Sequence, residues 1–303
     1  MVWNLTTPIL QHSTTPRYGD FMQILRTIDE ARQFIRLSKV DGASIGFVPT
    51  MGFFHEGHLS LMRQARSENE LAVASIFVNP TQFGPNEDFR TYPRDMDRDS
   101  RMAEGVGVDV IFSPTPEEMY PEGYLTYVEV ERLGARLCGA SRPGHFRGVT
   151  TVVLKLLNII TPDRMYMGLK DYQQFKIIER MCRDLDVPTQ VIPMPIYREN
   201  DGLAMSSRNT YLNPDERQAA LILSKALAYA QDLLDKGVTS VDELRIRVVE
   251  FISLEPLAQI DYVEVVHPDT LECPPTIEGD MLLALAVKIG STRLIDNVML
   301  HGC

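Results

Sequence analysis

Three polar, glycine-containing segments carry side chains suited to handling phosphate oxygens. The first, Pro49-Thr50-Met51-Gly52-Phe53-Phe54-His55-Glu56-Gly57-His58, places two histidines three residues apart where a loop enters a helix. A helix start offers unpaired backbone N–H groups and the positive end of the peptide dipoles, so imidazole donors there can complete a phosphate cradle. A capped, solvated turn and a metal site are the alternatives, although a zinc-binding H-E-x-x-H helix spaces its histidines four apart. The second segment, Gly168-Leu169-Lys170-Asp171-Tyr172-Gln173-Gln174, offers a lysine to a phosphate and an aspartate that can cap the following helix. The third, Met205-Ser206-Ser207-Arg208-Asn209, joins two hydroxyls to a guanidinium; these suit polyphosphate oxygens, and an ST-turn accounts for the hydroxyls equally.

Ligands of open parallel sheets bind at the carboxyl ends of strands, so the elements before these segments matter. Thr27 with Glu30 forms a capping box that opens a helix through about Lys39. Residues 44–49 (SIGFVP) and 71–78 (LAVASIFV) read as buried strands flanking a helix over 57–68, where Leu59, Met62 and Ala65 share one face. An acidic surface helix over 93–105 precedes a strand over 108–112. The run 146–160 is apolar on too many faces for a surface helix and is expected to be buried. A strand over 164–168, a helix over 171–185 and a strand over 189–193 follow. This alternation predicts an α/β fold with a parallel sheet. After about residue 196 a Gly-, Ser- and Asn-rich loop (198–214) leads to a helix opened by Asn213-Pro214. Two further helices and strand-like runs at 260–266 and 281–290 then suggest a smaller α+β C-terminal domain with an antiparallel sheet. The expected division is a loose tail over 1–20, a first domain over 21–196 and a second over 197–303.

The chain has 303 residues, 30 Lys and Arg against 41 Asp and Glu, and a formal charge of −11. That balance argues against nucleic acid or a membrane surface as partner, because both are bound by clustered cations, and favours a small molecule. Four cysteines without a C-x-x-C pair point to a reducing compartment. Neither a signal-like N-terminus nor a membrane-length apolar run is present, so a cytoplasmic protein is expected.

Taken together, VPTMGFFHEGHLSL (48–61), SIFVNPTQFGPNEDFRTYPR (75–94), RPGHFRGVTTVVLKLLNI (142–159), GLKDYQQ (168–174), DGLAMSSRN (201–209) and TRLIDN (292–297) make the chain resemble the pantoate–β-alanine ligase family of the H-x-G-H nucleotidylyltransferase superfamily. The resemblance runs from about Thr27 to Asn297. It implies a Rossmann-like domain covered by a small C-terminal lid domain, and a tendency to homodimers. It also implies two half-reactions: pantoate carboxylate attacks the α-phosphorus of ATP, then β-alanine displaces AMP from pantoyl adenylate. Two anions must meet in the first, so positive donors and Mg²⁺ are expected at the site.

By the same resemblance Met51, Gly52, Phe53, Phe54, His55, Glu56, Gly57 and His58 line the ATP site, with His55 and His58 on phosphate oxygens. His58 is either a proton donor or an electrostatic stabiliser. Lys170 matches a phosphate lysine, and Ser206, Ser207 and Arg208 a triphosphate loop. Gly168 and Asp171 fall at adenosine-side positions, Leu169, Tyr197 and Met205 at further ATP-binding positions, and Gln82 and Gln174 at pantoate positions, Gln82 serving β-alanine too. Asn79 is a supporting candidate, and Arg142 to Arg147, with His145, a further family segment. Leu169 stands where the family commonly has Glu, and Tyr197 where it has a smaller apolar residue. A nucleotidylyltransferase acting on another small carboxylate or phosphate is the alternative reading; a tRNA-charging enzyme and a non-catalytic nucleotide-binding module are more distant ones.

Overall fold

In the computed structural model, residues 21–85 and 87–302 are described; the expected tail lies outside them. The first part of the chain runs β1 (Gln23–Leu25), α1 (Ile28–Val40), β2 (Ile45–Thr50), α2 (Glu56–Glu68), β3 (Leu71–Ile76), α3 (Met96–Gly105), β4 (Val110–Phe112), α4 (Pro116–Met119) and α5 (Cys138–Ser141). It continues through α6 (His145–Ile160), β5 (Arg164–Gly168), α7 (Tyr172–Asp184) and β6 (Gln190–Met194). The second part holds α8 (Pro214–Ala219), α9 (Ile222–Asp235), α10 (Val241–Ile252), β7 (Ala258–Val266), β8 (Asp280–Ile289) and β9 (Thr292–His301).

The first six strands form one parallel sheet in the order β1-β4-β3-β2-β5-β6. Helices cover both faces, which is why β2 and β3 read as unbroken apolar runs. On one side α6 buries Val149, Val152, Val153, Leu156 and Leu157 against Phe47 and Val73; on the other α2 buries Leu59, Met62 and Ala65 against Val48 and Ala74. The strand order turns back on itself at β2, so β2 and β5 are where ligands of such sheets bind. These two strands pair only through Gly46 with Arg164 and Phe47 with Met165. Beyond that they part, while β2 stays paired to β3 up to Thr50 and β5 to β6 up to Gly168.

The second sheet is antiparallel, ordered β7-β8-β9. On β8, Leu283, Leu285 and Val287 face α9 and α10, while Leu282 and Ala284 pack against Leu137 of the first part. With both faces covered, β8 loses the apolar–polar alternation of a half-exposed strand.

Two strands escaped the sequence reading. β1 has three residues and no periodicity to detect; β9 covers the TRLIDN motif, whose polar Asp296 and Asn297 mask a strand. The acidic helix is shorter than expected, starting at Met96 under an Asp95 cap, and it is not wholly a surface element, because Asp99 is buried. Among the described residues no helix is long and apolar enough to cross a membrane.

Gly148 lets α6 approach the turn that follows β3: a Cβ there would sit 2.4 Å from the carbonyl oxygen of Thr81. Gly148→Ala is expected to destabilise by about 1–3 kcal/mol through backbone displacement. Gly168→Ala, whose Cβ would meet nothing within 4 Å, is the matched control. Urea denaturation of both variants checks this; equal midpoints would refute the close-approach argument.

Candidate active site

A cavity of about 230 Å³ opens where β2 and β5 part, floored by Pro49, Thr50 and Met51 on one side and Tyr166, Met167 and Gly168 on the other. Around it stand His55, Gly57 and His58 from the start of α2, Lys170, Asp171 and Gln174 from the turn into α7, and Tyr197 and Met205 to Arg208 from the loop after β6. Gln82 and the Val149, Val152, Val153 and Leu156 face of α6 complete the wall. The three segments distant in sequence therefore converge on one space.

His55 and His58 stack, ring centroids 4.0 Å apart and planes at 28°. Gly57 permits this, since a Cβ there would lie 2.9 Å from the His55 ring. His58 Nδ1 accepts from the His55 backbone N–H at 3.4 Å, so a neutral His58 carries its proton on Nε2. Burial first, then Lys170, depresses His55 to about 4. Burial, His55 and Lys170 hold His58 well below the ordinary imidazole range. Both rings are hence neutral near pH 7, and the buried Nδ1 of His55 has no hydrogen-bond partner among the described residues.

The loop before α2 uses its own donors internally. Gly52 and Phe53 adopt left-handed φ values of 84° and 52°, turning successive N–H groups inward as an anion-binding nest. The occupant is Asp99 from α3, which accepts from Phe53 N at 2.6 Å and Phe54 N at 2.7 Å. The Gly52 N–H goes to Thr50 Oγ1 at 3.0 Å. Gly52, Phe53 and Phe54 thus do not line the cavity, Phe54 being fully buried beneath it. Glu56 faces Arg63 at 3.0 Å outside it, and Leu169 packs into the main core. These five expected positions lie outside the cavity lining.

Lys170 projects in, its nearest carboxylate being Asp171 at 4.0 Å. Arg208, by contrast, is engaged: Asp88 accepts from its Nε at 2.9 Å and Nη2 at 2.8 Å, and the guanidinium lies over Tyr92. Ser207 donates to the Phe53 carbonyl at 3.3 Å, and Ser206 accepts from the Arg208 N–H, capping a 3₁₀ turn. The loop itself is tied down by Arg198, which donates to Asp296 of β9 at 2.7 and 2.9 Å and to the Gly202 carbonyl at 3.0 Å.

Gln82 is oriented by an amide relay. Asn79 Nδ2 donates to Gln82 Oε1 and to the Gly148 carbonyl, both at 3.1 Å, while Asn79 Oδ1 accepts from Tyr120 Oη at 2.9 Å. With its oxygen occupied, Gln82 gives one amide hydrogen to Met51 Sδ at 3.3 Å and has its second amide hydrogen left for a ligand. Behind it, Arg142 pairs with Glu87 at 2.6 and 2.7 Å and donates to His145 Nε2 at 3.0 Å. The remaining His145 proton is then given from Nδ1 to the Gln82 carbonyl at 2.9 Å. The RPGHFR segment, a further family segment in the sequence, is a brace on the Gln82 backbone. The neighbouring glutamines of α7 divide: Gln174 lines the cavity, whereas buried Gln173 donates to the carbonyls of Leu133 and Arg136.

The sequence reading missed Asp99, Asp88, Tyr92 and the apolar α6 face. The last had a signal, because a helix apolar on several faces must cover more than one neighbour. Among the described residues no group of three or more His, Cys, Asp or Glu is placed to hold a metal ion.

The profile described as pantoate-beta-alanine ligase matches residues 23–299. A pantothenate synthetase of Acetivibrio thermocellus is 56% identical over 280 residues, spanning 92% of this chain and 100% of its own. The crystal structure of pantothenate synthetase from Thermus thermophilus superposes with a TM-score of 0.88 at 44% identity, covering 92% of this chain and 100% of that one. A pantoate-beta-alanine ligase from Francisella tularensis, complexed with beta-gamma ATP and beta-alanine, gives a TM-score of 0.75 at 36% identity, covering 92% and 97%. Fold and sequence agree, and the chain belongs to the pantoate–β-alanine ligase family.

Proposed function

We propose that the chain condenses D-pantoate with β-alanine, driven by ATP and through pantoyl adenylate, releasing pyrophosphate and then AMP. The observation that carries this is the convergence of neutral imidazoles, a lysine, a Ser-Ser-Arg loop and a donor-presenting glutamine around one cavity. The split wall matches the two substrates. Lys170, His55, His58 and Ser206 to Arg208 bind the triphosphate; Gly168, Asp171, Tyr197 and Met205 bind the adenosine side. Gln82 and Gln174 hold pantoate through uncharged amides beside the apolar α6 face, and Gln82 later meets β-alanine.

In this scheme His58 enters as a neutral hydrogen-bond donor through Nε2, because burial beside His55 and Lys170 disfavours the imidazolium. A polyphosphate brings compensating negative charge, which favours protonation only once ATP is bound. Mg²⁺ carried on ATP needs few protein oxygens, and Asp171 is the carboxylate among the described cavity residues that would hold it. The ion would supply neutralisation of phosphate charge. Closure of the 197–303 region over the 21–196 region, carrying Ser206 to Arg208 onto the triphosphate, would exclude water from the adenylate. A cytoplasmic homodimer is the expected setting.

Incubation with ATP, Mg²⁺, D-pantoate and β-alanine is expected to yield pantothenate, AMP and pyrophosphate; formation of ADP and phosphate would overturn the adenylate route. A nucleotidylyltransferase would instead leave AMP attached to its product, and AMP release that depends on β-alanine separates the two.

His58→Ala and Lys170→Ala are each expected to slow adenylate formation by about 10²–10³-fold, the loss typical of a transition-state charge donor. Pantoate-dependent ATP–pyrophosphate exchange measures it, and near-normal exchange in either variant would sink that assignment.

The buried histidines also set a pH dependence. His55 and His145 are lowered to about 4, each chiefly by burial. The unfolded chain therefore takes up protons that the folded one refuses. The stability contributed by neutral imidazoles is complete above the ordinary histidine range and is lost as pH falls toward 4. Denaturation midpoints of the ATP-free protein should decline between pH 7 and 5, and imidazole NMR should show both rings neutral at pH 6.

A further inference from the structure

We infer that Asn297, on the second sheet, is a positioning residue for Lys170 in adenylate formation. Its single amide nitrogen donates to two successive carbonyls across the domain junction, Leu169 O at 3.0 Å and Lys170 O at 2.9 Å. A primary amide can give two hydrogens from one atom; a serine gives one and an aspartate none. The contact is buried, Asn297 being 6% exposed, so its hydrogen bonds have little competition from water.

The geometry makes this more than a joint between domains. Leu169 to Asp171 form the one-turn 3₁₀ segment between the end of β5 and α7, and Lys170 projects from it into the cavity. Among the described residues the Lys170 ammonium has no ion pair closer than Asp171 at 4.0 Å to fix it. Where its amine stands is thus set by where its backbone is held, and Asn297 holds that backbone at the residue itself. The adjacent Asp296 grips Arg198, at the base of the Ser206 to Arg208 loop. Asn297 itself occupies a fixed register on β9, opposite Ala284 of β8. A shift of the second sheet is therefore transmitted to the Lys170 backbone.

This rests on Lys170 meeting the triphosphate, and the test separates the two ideas. Pantoate-dependent ATP–pyrophosphate exchange is measured for Asn297→Ala, Lys170→Ala and the double variant, with folding followed by circular dichroism and Tm. Asn297→Ala is expected to lower exchange about tenfold or more, a coupling of ordinary size for contacting groups. In the Lys170→Ala background the same change is expected to have an effect within about twofold, because its target has gone. Loss in Lys170→Ala with additive loss in the double variant would overturn the inference while leaving the lysine's role intact. Full exchange in Lys170→Ala would instead defeat the reading on which it rests. Asn297→Ser, keeping one donor, should fall between wild type and alanine. Failure of both Asn297 variants to fold would show a joint of the domains and overturn the positioning role.

Discussion

The parting of β2 from β5 is the constraint on which everything else depends. A parallel sheet is closed by evenly spaced hydrogen bonds, and here the ladder between these strands ends after Phe47 and Met165. Each strand nevertheless remains paired on its outer side to its carboxyl end, so the gap is rigid on both banks. The gap receives the start of α2 from one bank and the turn into α7 from the other. The α6 face roofs it with valines and a leucine, giving one apolar wall and one rich in donors. That asymmetry suits a ligand with a branched hydrocarbon part and a charged part.

Around this gap the molecule satisfies its own polar groups first. Asp99 fills the nest before α2, Asp88 occupies Arg208, Glu87 occupies Arg142 and Asp296 occupies Arg198. Such pairing compensates the charge of partly buried cations. It also leaves Lys170 and the imidazoles as the groups most ready to meet an incoming anion.

Much of this was legible in the sequence, and the reason lies in which residues act locally. The HEGH segment, Lys170 and the Ser-Ser-Arg loop each announce themselves through side chains at an element boundary. The strands β2, β3 and β5 announce themselves through apolar runs. Asp99 was not legible, because its partners are backbone N–H groups more than forty residues away and an aspartate in an acidic helix carries no special signal. Asn297 was visible as part of a motif but not as a function, since its partners lie on another domain. The backbone donors of Phe53 and Phe54 are illegible for the same reason: a carboxylate distant in sequence takes them.

The engagement of Arg208 by Asp88 has one more consequence. A ligand carrying a single negative charge meets a guanidinium whose field is largely cancelled, and it gains little by displacing a carboxylate of equal charge. A ligand offering several charged oxygens at once competes with that carboxylate more strongly. The pair thereby weakens the arginine's attraction for a monoanion more than for a polyanion.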